Sequence, residues 1–182
     1  RPGQFLITGS ANIFTIPTVQ ESLAGRISRV RLRPLSQGEI LGAKPSFIDR
    51  AFAQKFTLPK KRHNRNALIE AIFRGGFPEA MKLEGKVRGN WYEDYVDALI
   101  EHDVRDVADI RQADVMKNLV TVLAAWSSKF MDVSTLAGKL AIDRRTLANY
   151  ISLLRSFYLV EAAPAWIKTD YDRIGKQEKL FM

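Results

Sequence analysis

The stretch from Asp132 to Pro164 constrains the fold most, because it sets two helix starts so close together that only a short turn fits between them. Ser134 can cap a first helix over Thr135–Leu140, Ala141-Ile142 supplies the turn, and Asp143 caps a second helix over Arg144–Phe157. This is helix-turn-helix spacing. In the second helix Leu147, Ile151 and Leu154 recur at i, i+4 and i+7 and share one face, leaving Arg144, Arg145, Ala148, Asn149 and Ser152 largely on the other. Guanidinium, carboxamide and hydroxyl groups on an outward face carry the donors that phosphates and base edges accept. Arg144, Arg145, Asn149 and Ser152 are therefore the DNA-binding candidates. Tyr158-Leu159-Val160-Glu161 then reads as the first strand of a wing. The same shape also serves to pack against other protein, in which case these polar side chains are merely solvated.

Helical periodicity begins near Ser46, with Phe47–Phe56 and Ala67–Phe73, the second ended by Gly75-Gly76 before Pro78. A basic loop, Lys60 to Arg65, joins them. Trp91, Tyr95, Ala98, Leu99 and His102 then lie three or four apart, and Val115, Leu119, Val122, Leu123 and Trp126 repeat the pattern in a second long helix. These stripes predict core, so Trp91 and Trp126 read as core anchors before base-stacking platforms. Ahead of the helices, Gln4–Thr8 is an apolar run ended by Gly9, as in a buried strand of a parallel sheet. Arg29-Val30-Arg31-Leu32-Arg33 alternates basic and apolar residues up to Pro34, which predicts a half-exposed strand with one cationic face.

The formal net charge of +8 favours an anionic partner, nucleic acid first. The positive excess is largest over residues 41–90, whereas 91–133 is net acidic. Within it Asp94, Asp97 and Glu101 form an acidic stripe suited to docking a basic region. With no cysteine and only His63 and His102, disulfides and thiolate metal sites are excluded and a serine triad has little support. Glu101, His102 and Asp103 point about 100° apart on one helix and cannot converge on one ion, so no metal site is expected. An ion pair between Glu101 and Arg105 accounts for them more plainly. No apolar run approaches the roughly 18 residues that cross a bilayer, so no membrane partner and a cytoplasmic location are expected. The start at Arg1-Pro2-Gly3, without methionine, points to a fragment of a longer protein.

Three runs carry a family resemblance: Phe5-Leu6-Ile7-Thr8-Gly9-Ser10-Ala11-Asn12, Glu21-Ser22-Leu23-Ala24-Gly25-Arg26, and Arg31 to Ile40. Together they resemble the last part of the P-loop core of predicted bacterial and archaeal AAA-type ATPases. Arg74-Gly75-Gly76-Phe77-Pro78-Glu79 and Tyr95 to Val104 resemble the domain of unknown function that follows this core, and residues 132–164 resemble that domain's next part. Residues 43–66 match least. The resemblance implies ATP and Mg2+ as cofactors of the parent family. It implies a nucleotide-sensing role for Thr8, Ser10 and Asn12 at a strand end, Ser10 foremost, and for Arg26. No Gly-x-x-x-x-Gly-Lys-Ser/Thr occurs, however, so this chain alone is expected to bind neither cofactor and to be inactive as an ATPase.

The expected fold is mainly α with a small α/β remnant, a helical connector and a winged helix-turn-helix. Residues 1–42 would be the remnant of the ATPase core, 43–130 the connector, 131–165 the winged helix, and 166–182 a tail toward a further C-terminal module. The expected function is that of part of an AAA-type ATPase coupling nucleotide binding to DNA or partner remodelling, with DNA as partner and self-association as a further option. Two alternatives stand beside it: a non-enzymatic DNA-binding regulator, and a winged-helix module for protein interaction or oligomerisation.

Overall fold

The structure, a computed structural model, describes residues 3–9, 27–44, 46–56, 64–104, 113–167, 169 and 176–182. Among them the chain is mainly helical with one small two-stranded sheet. Its contacts group it into two units, Arg29–Tyr95 and Val96–Met182, the second also taking in the residues before Arg29.

In the first unit, helix α1 (Gln37–Ile40) starts at Ser36 through a capping box: the Ser36 hydroxyl accepts from the Glu39 N–H at 3.2 Å, and the Glu39 carboxylate accepts from the Ser36 N–H at 2.8 Å. Helix α2 (Phe47–Phe52) ends before Phe56, where Gln54 takes φ 54°. Helix α3 (Arg65–Arg74) is capped by Asn64, which accepts from the Ala67 N–H at 2.8 Å. It ends at the glycine pair as expected. Gly75 takes φ 64°, and a Cβ at Gly76 would run into the Leu35 carbonyl, which the Leu35 N–H to Gly76 hydrogen bond of 2.8 Å holds close.

Helix α4 (Gly85–Ala98) presents Trp91, Tyr92 and Tyr95 to Phe77. Trp91 and Tyr95, one turn apart, stack at 5.5 Å and 7°. The buried Arg88 is satisfied by the Leu83 carbonyl at 2.8 Å and by Glu70 at 2.9 Å.

In the second unit α4 continues as a π-helical segment, Leu99–Val104. The wider turn shifts the phase of the apolar stripe. Leu99, Ile100 and Val104 are buried, whereas Ala98 and His102, expected in the core, are exposed. Helix α5 (Ala113–Ala125) buries Met116, Leu119, Val120 and Leu123 and leaves Val115, Val122 and Trp126 half-buried. Lys117 reaches from α5 to Asp97 at 2.9 Å and Glu101 at 2.7 Å, so the acidic stripe docks a lysine of its own unit. Arg105 lies outside the described residues.

Helices α6 (Val133–Lys139) and α7 (Arg144–Ser156) follow, then β1 (Glu161–Ala163) and β2 (Lys179–Phe181). The strands pair antiparallel with Ala163 opposite Lys179 and Glu161 opposite Phe181. On its other edge β2 meets Phe130 in a bridge with Lys179, flanked by bonds from the Leu180 N–H to Lys129 and from the Met131 N–H to Glu178. The strand expected from Tyr158 begins at Glu161, and Tyr158 itself sits at φ 61°. Lys179–Phe181, within the segment expected as a tail, completes the sheet, and Leu180 is buried.

The two strands expected nearer the start are not formed. Gly3–Gly9 and Arg29–Leu35 are irregular, and Val30 and Leu32 are 87% and 94% exposed. A period-two pattern becomes a strand only where a second strand pairs with it, and among the described residues the one sheet is formed by other segments.

If β2 is an integral part of the core, Leu180→Ala should cost about 2–4 kcal/mol, as truncation of a fully buried leucine does. Urea denaturation of the full chain would measure it. A loss below about 1 kcal/mol would return these residues to the status of a tail.

Candidate nucleic-acid interface

The geometry of α7 is decided at its first residue. Asp143 accepts from the Thr146 N–H at 2.9 Å and from the Thr146 hydroxyl, which starts the helix at Arg144. From that start, Leu147, Ile151 and Leu154 fall on the buried face. Arg145, Ala148, Asn149 and Ser152 are then exposed away from that stripe, whereas Arg144, seven residues before Ile151 and so on its side of the helix, is exposed in the first turn.

The turn before α7 is equally determined. Ala141 takes the left-handed conformation at φ 52°, the Ile142 N–H donates to the Ala137 carbonyl at 3.1 Å, and the Ala141 N–H donates to Gly138 at 3.3 Å. This closes α6 by the paired bonds of a Schellman motif.

At its other end α6 is capped by Asp132 rather than by the expected Ser134. The Asp132 carboxylate accepts from the N–H groups of Ser134 and Thr135 at 2.9 and 3.2 Å and from the Thr135 hydroxyl at 2.7 Å. A carboxylate two residues upstream collects three donors, which the serine hydroxyl cannot match.

Both caps are electrostatically marked. The Thr135 hydroxyl and N–H, then the Ser134 N–H and the charge of Arg144, hold the Asp132 carboxyl below its ordinary 3.8. The Thr146 hydroxyl and N–H do the same for Asp143. Arg144 thus lies within reach of one carboxylate while remaining exposed. Further along α7, Arg155 is engaged by Glu178 at 3.3 Å, so it is fastened to the strand side of the fold.

The nucleotide-sensing candidates are not brought together in this way. Thr8 is exposed in an irregular segment, and Ser10, Asn12 and Arg26 lie outside the described residues. Among the described residues no three histidine, aspartate or glutamate side chains converge as a metal site would need, and no helix is long and apolar enough to cross a membrane.

A family defined as a domain of unknown function, DUF8612, matches residues 65–182, from α3 to β2. The chain belongs to the DUF8612 family. Uncharacterized proteins of Mycobacterium bovis and Mycobacterium tuberculosis are each 24% identical over 98% of the chain, and one of Haemophilus influenzae is 22% identical over 94%. This DUF8612 chain spans 34% of the length of the mycobacterial proteins and 40% of the Haemophilus protein. No solved structure is significantly similar to it.

The depressed carboxyls of Asp132 and Asp143 have a consequence for acid stability. Their folded values lie below the unfolded 3.8, so each contributes stability that is fully present above that value and is lost as pH falls through the folded one. Thermal midpoints should therefore stay level down to about pH 5 and drop below about pH 4. Asn caps a helix as well as Asp does but does not titrate. Asp132→Asn/Asp143→Asn should fold normally and lose part of that acid limb. An unchanged limb would contradict the caps' role.

Proposed function

We propose that residues 113–182 are a winged helix-turn-helix that binds duplex DNA, carried by a larger ATPase of the AAA type. The observation that carries this reading is the outward face of α7, where Arg145, Asn149 and Ser152 are exposed together opposite a fully buried apolar stripe and Arg144 is exposed at the first turn. The order of elements supports the winged-helix part: helix α5, a bridge at Phe130, α6, a tight turn, α7, then the paired strands β1 and β2. In this reading α7 enters the major groove, where two arginines meet phosphates or guanine edges and Asn149 meets adenine. Phosphate then competes with Asp132 for Arg144.

The ATPase part rests on the resemblance over Gln4–Ile40 and Arg74–Val104. The parent protein, acting in the cytoplasm, would couple hydrolysis of ATP with Mg2+ to remodelling of the DNA held here. Thr8, Ser10, Asn12 and Arg26 would then sense the nucleotide. This chain, lacking the Gly-x-x-x-x-Gly-Lys motif, would contribute binding and not turnover.

Fluorescence anisotropy of a labelled duplex across a salt series tests the reading. Arg144→Ala/Arg145→Ala should weaken binding about tenfold or more and make the log–log salt slope shallower by about 2, one phosphate contact per arginine. Asn149→Ala should instead relax sequence preference. Duplex binding indifferent to all three substitutions, or none at low salt, would leave α7 as a protein-packing surface.

A further inference from the structure

The outer face of the small sheet is a second aromatic and basic surface, separate from α7. Side chains alternate along β2, and Leu180 points inward, so Lys179 and Phe181 point outward. Phe130 lies directly opposite Lys179 in the pair that lacks hydrogen bonds between its own residues, the closest side-chain register of an antiparallel ladder. It therefore shares that outer face, with the Lys179 ammonium 5.1 Å from its ring centre. Phe130 and Phe181 are 54% and 39% exposed, so both rings are open to solvent on the same face.

Beside this ladder stands Trp126, whose indole N–H donates to the Phe130 carbonyl at 2.9 Å. Lys129 and Lys139 both sit over its ring, at 4.9 and 5.7 Å. Two ammoniums gathered on one indole repel each other, and the ring holds them without neutralising them. The nearby acids are largely committed: Asp132 caps α6 and Glu178 binds Arg155. Glu161, opposite Phe181 on the same face, is also engaged. What remains is three lysines held by aromatic rings beside two exposed phenylalanine faces. Flat rings stack on bases only when the bases are unpaired, and lysines between them track the phosphates of an extended strand.

We propose that this face, built from Phe130, Lys179 and Phe181 with Lys129 and Lys139 alongside, binds single-stranded nucleic acid. It is a site distinct from the duplex-binding face of α7. Stacking is tolerant of sequence, so the site grips a strand without reading it. A protein that remodels DNA would use the two faces together, α7 on the paired part and the sheet on the strand that separates from it.

The test is anisotropy of a labelled oligothymidylate and of a blunt duplex against the full 182-residue chain and two variants. Phe130→Ala/Phe181→Ala should reduce oligothymidylate affinity about tenfold or more while leaving the duplex unchanged, because each stacked base contributes on the order of tenfold. Lys129→Gln/Lys139→Gln should reduce it too and flatten its salt dependence. All four side chains are exposed or half-exposed, and an unchanged thermal midpoint would confirm folding. Strand binding absent in the parent chain, or unaffected by the phenylalanine pair, overturns the proposal. A phenylalanine variant that alters only the size-exclusion profile also overturns it, in favour of a protein interface. Failure of the α7 reading shows separately, as duplex binding indifferent to Arg144→Ala/Arg145→Ala.

Discussion

Burial of Leu147, Ile151 and Leu154 is the constraint on which the rest of this unit depends, because a helix with one face committed to the core has no freedom left in the other. Asp143 sets where α7 begins, and the apolar stripe sets how it is rotated. Together they decide that Arg144, Arg145, Asn149 and Ser152 meet solvent rather than protein. Displacing one member of the stripe by a single position would carry it about 100° around the helix, off the buried face. The Schellman closure at Ala141 and the Asp132 cap serve the same end, since they fix α6 and the turn from which α7 departs.

This also explains what could be read from the amino-acid sequence. The two helices and the polar face of α7 were legible because caps and a 3.6-residue period are local rules, written within a few residues of their effect. The substitution of Asp132 for Ser134 as cap shows the limit of such reading, because both residue types cap well and the geometry chooses between them. The π-helical turn at Leu99–Val104 was not legible at all. Its sequence fits an ordinary helix, and only the exposure of Ala98 and His102 against the burial of Ile100 and Val104 shows the change of phase.

Pairing across distance was the harder problem. Lys179–Phe181 is three residues long and follows an exposed tryptophan, so nothing local marks it as a strand; its partners are Phe130 and Glu161–Ala163. The aromatic and basic outer face was invisible for the same reason, since it joins residues from three separate parts of the chain. The converse error arose at Gln4–Thr8 and Arg29–Arg33, where a clear strand pattern has no pairing neighbour among the described residues. Alternation specifies which side of a strand is apolar, but it does not supply a sheet.

The central claim is that α7 meets duplex DNA through the face its burial pattern leaves outward. Amide chemical-shift mapping of isotope-labelled protein titrated with a short duplex tests it most directly. The largest changes should fall on Arg144, Arg145, Asn149 and Ser152 and on the turn before them, with the Leu147, Ile151 and Leu154 side unmoved. Changes absent from α7, or centred on the helices of residues 29–95, would contradict it.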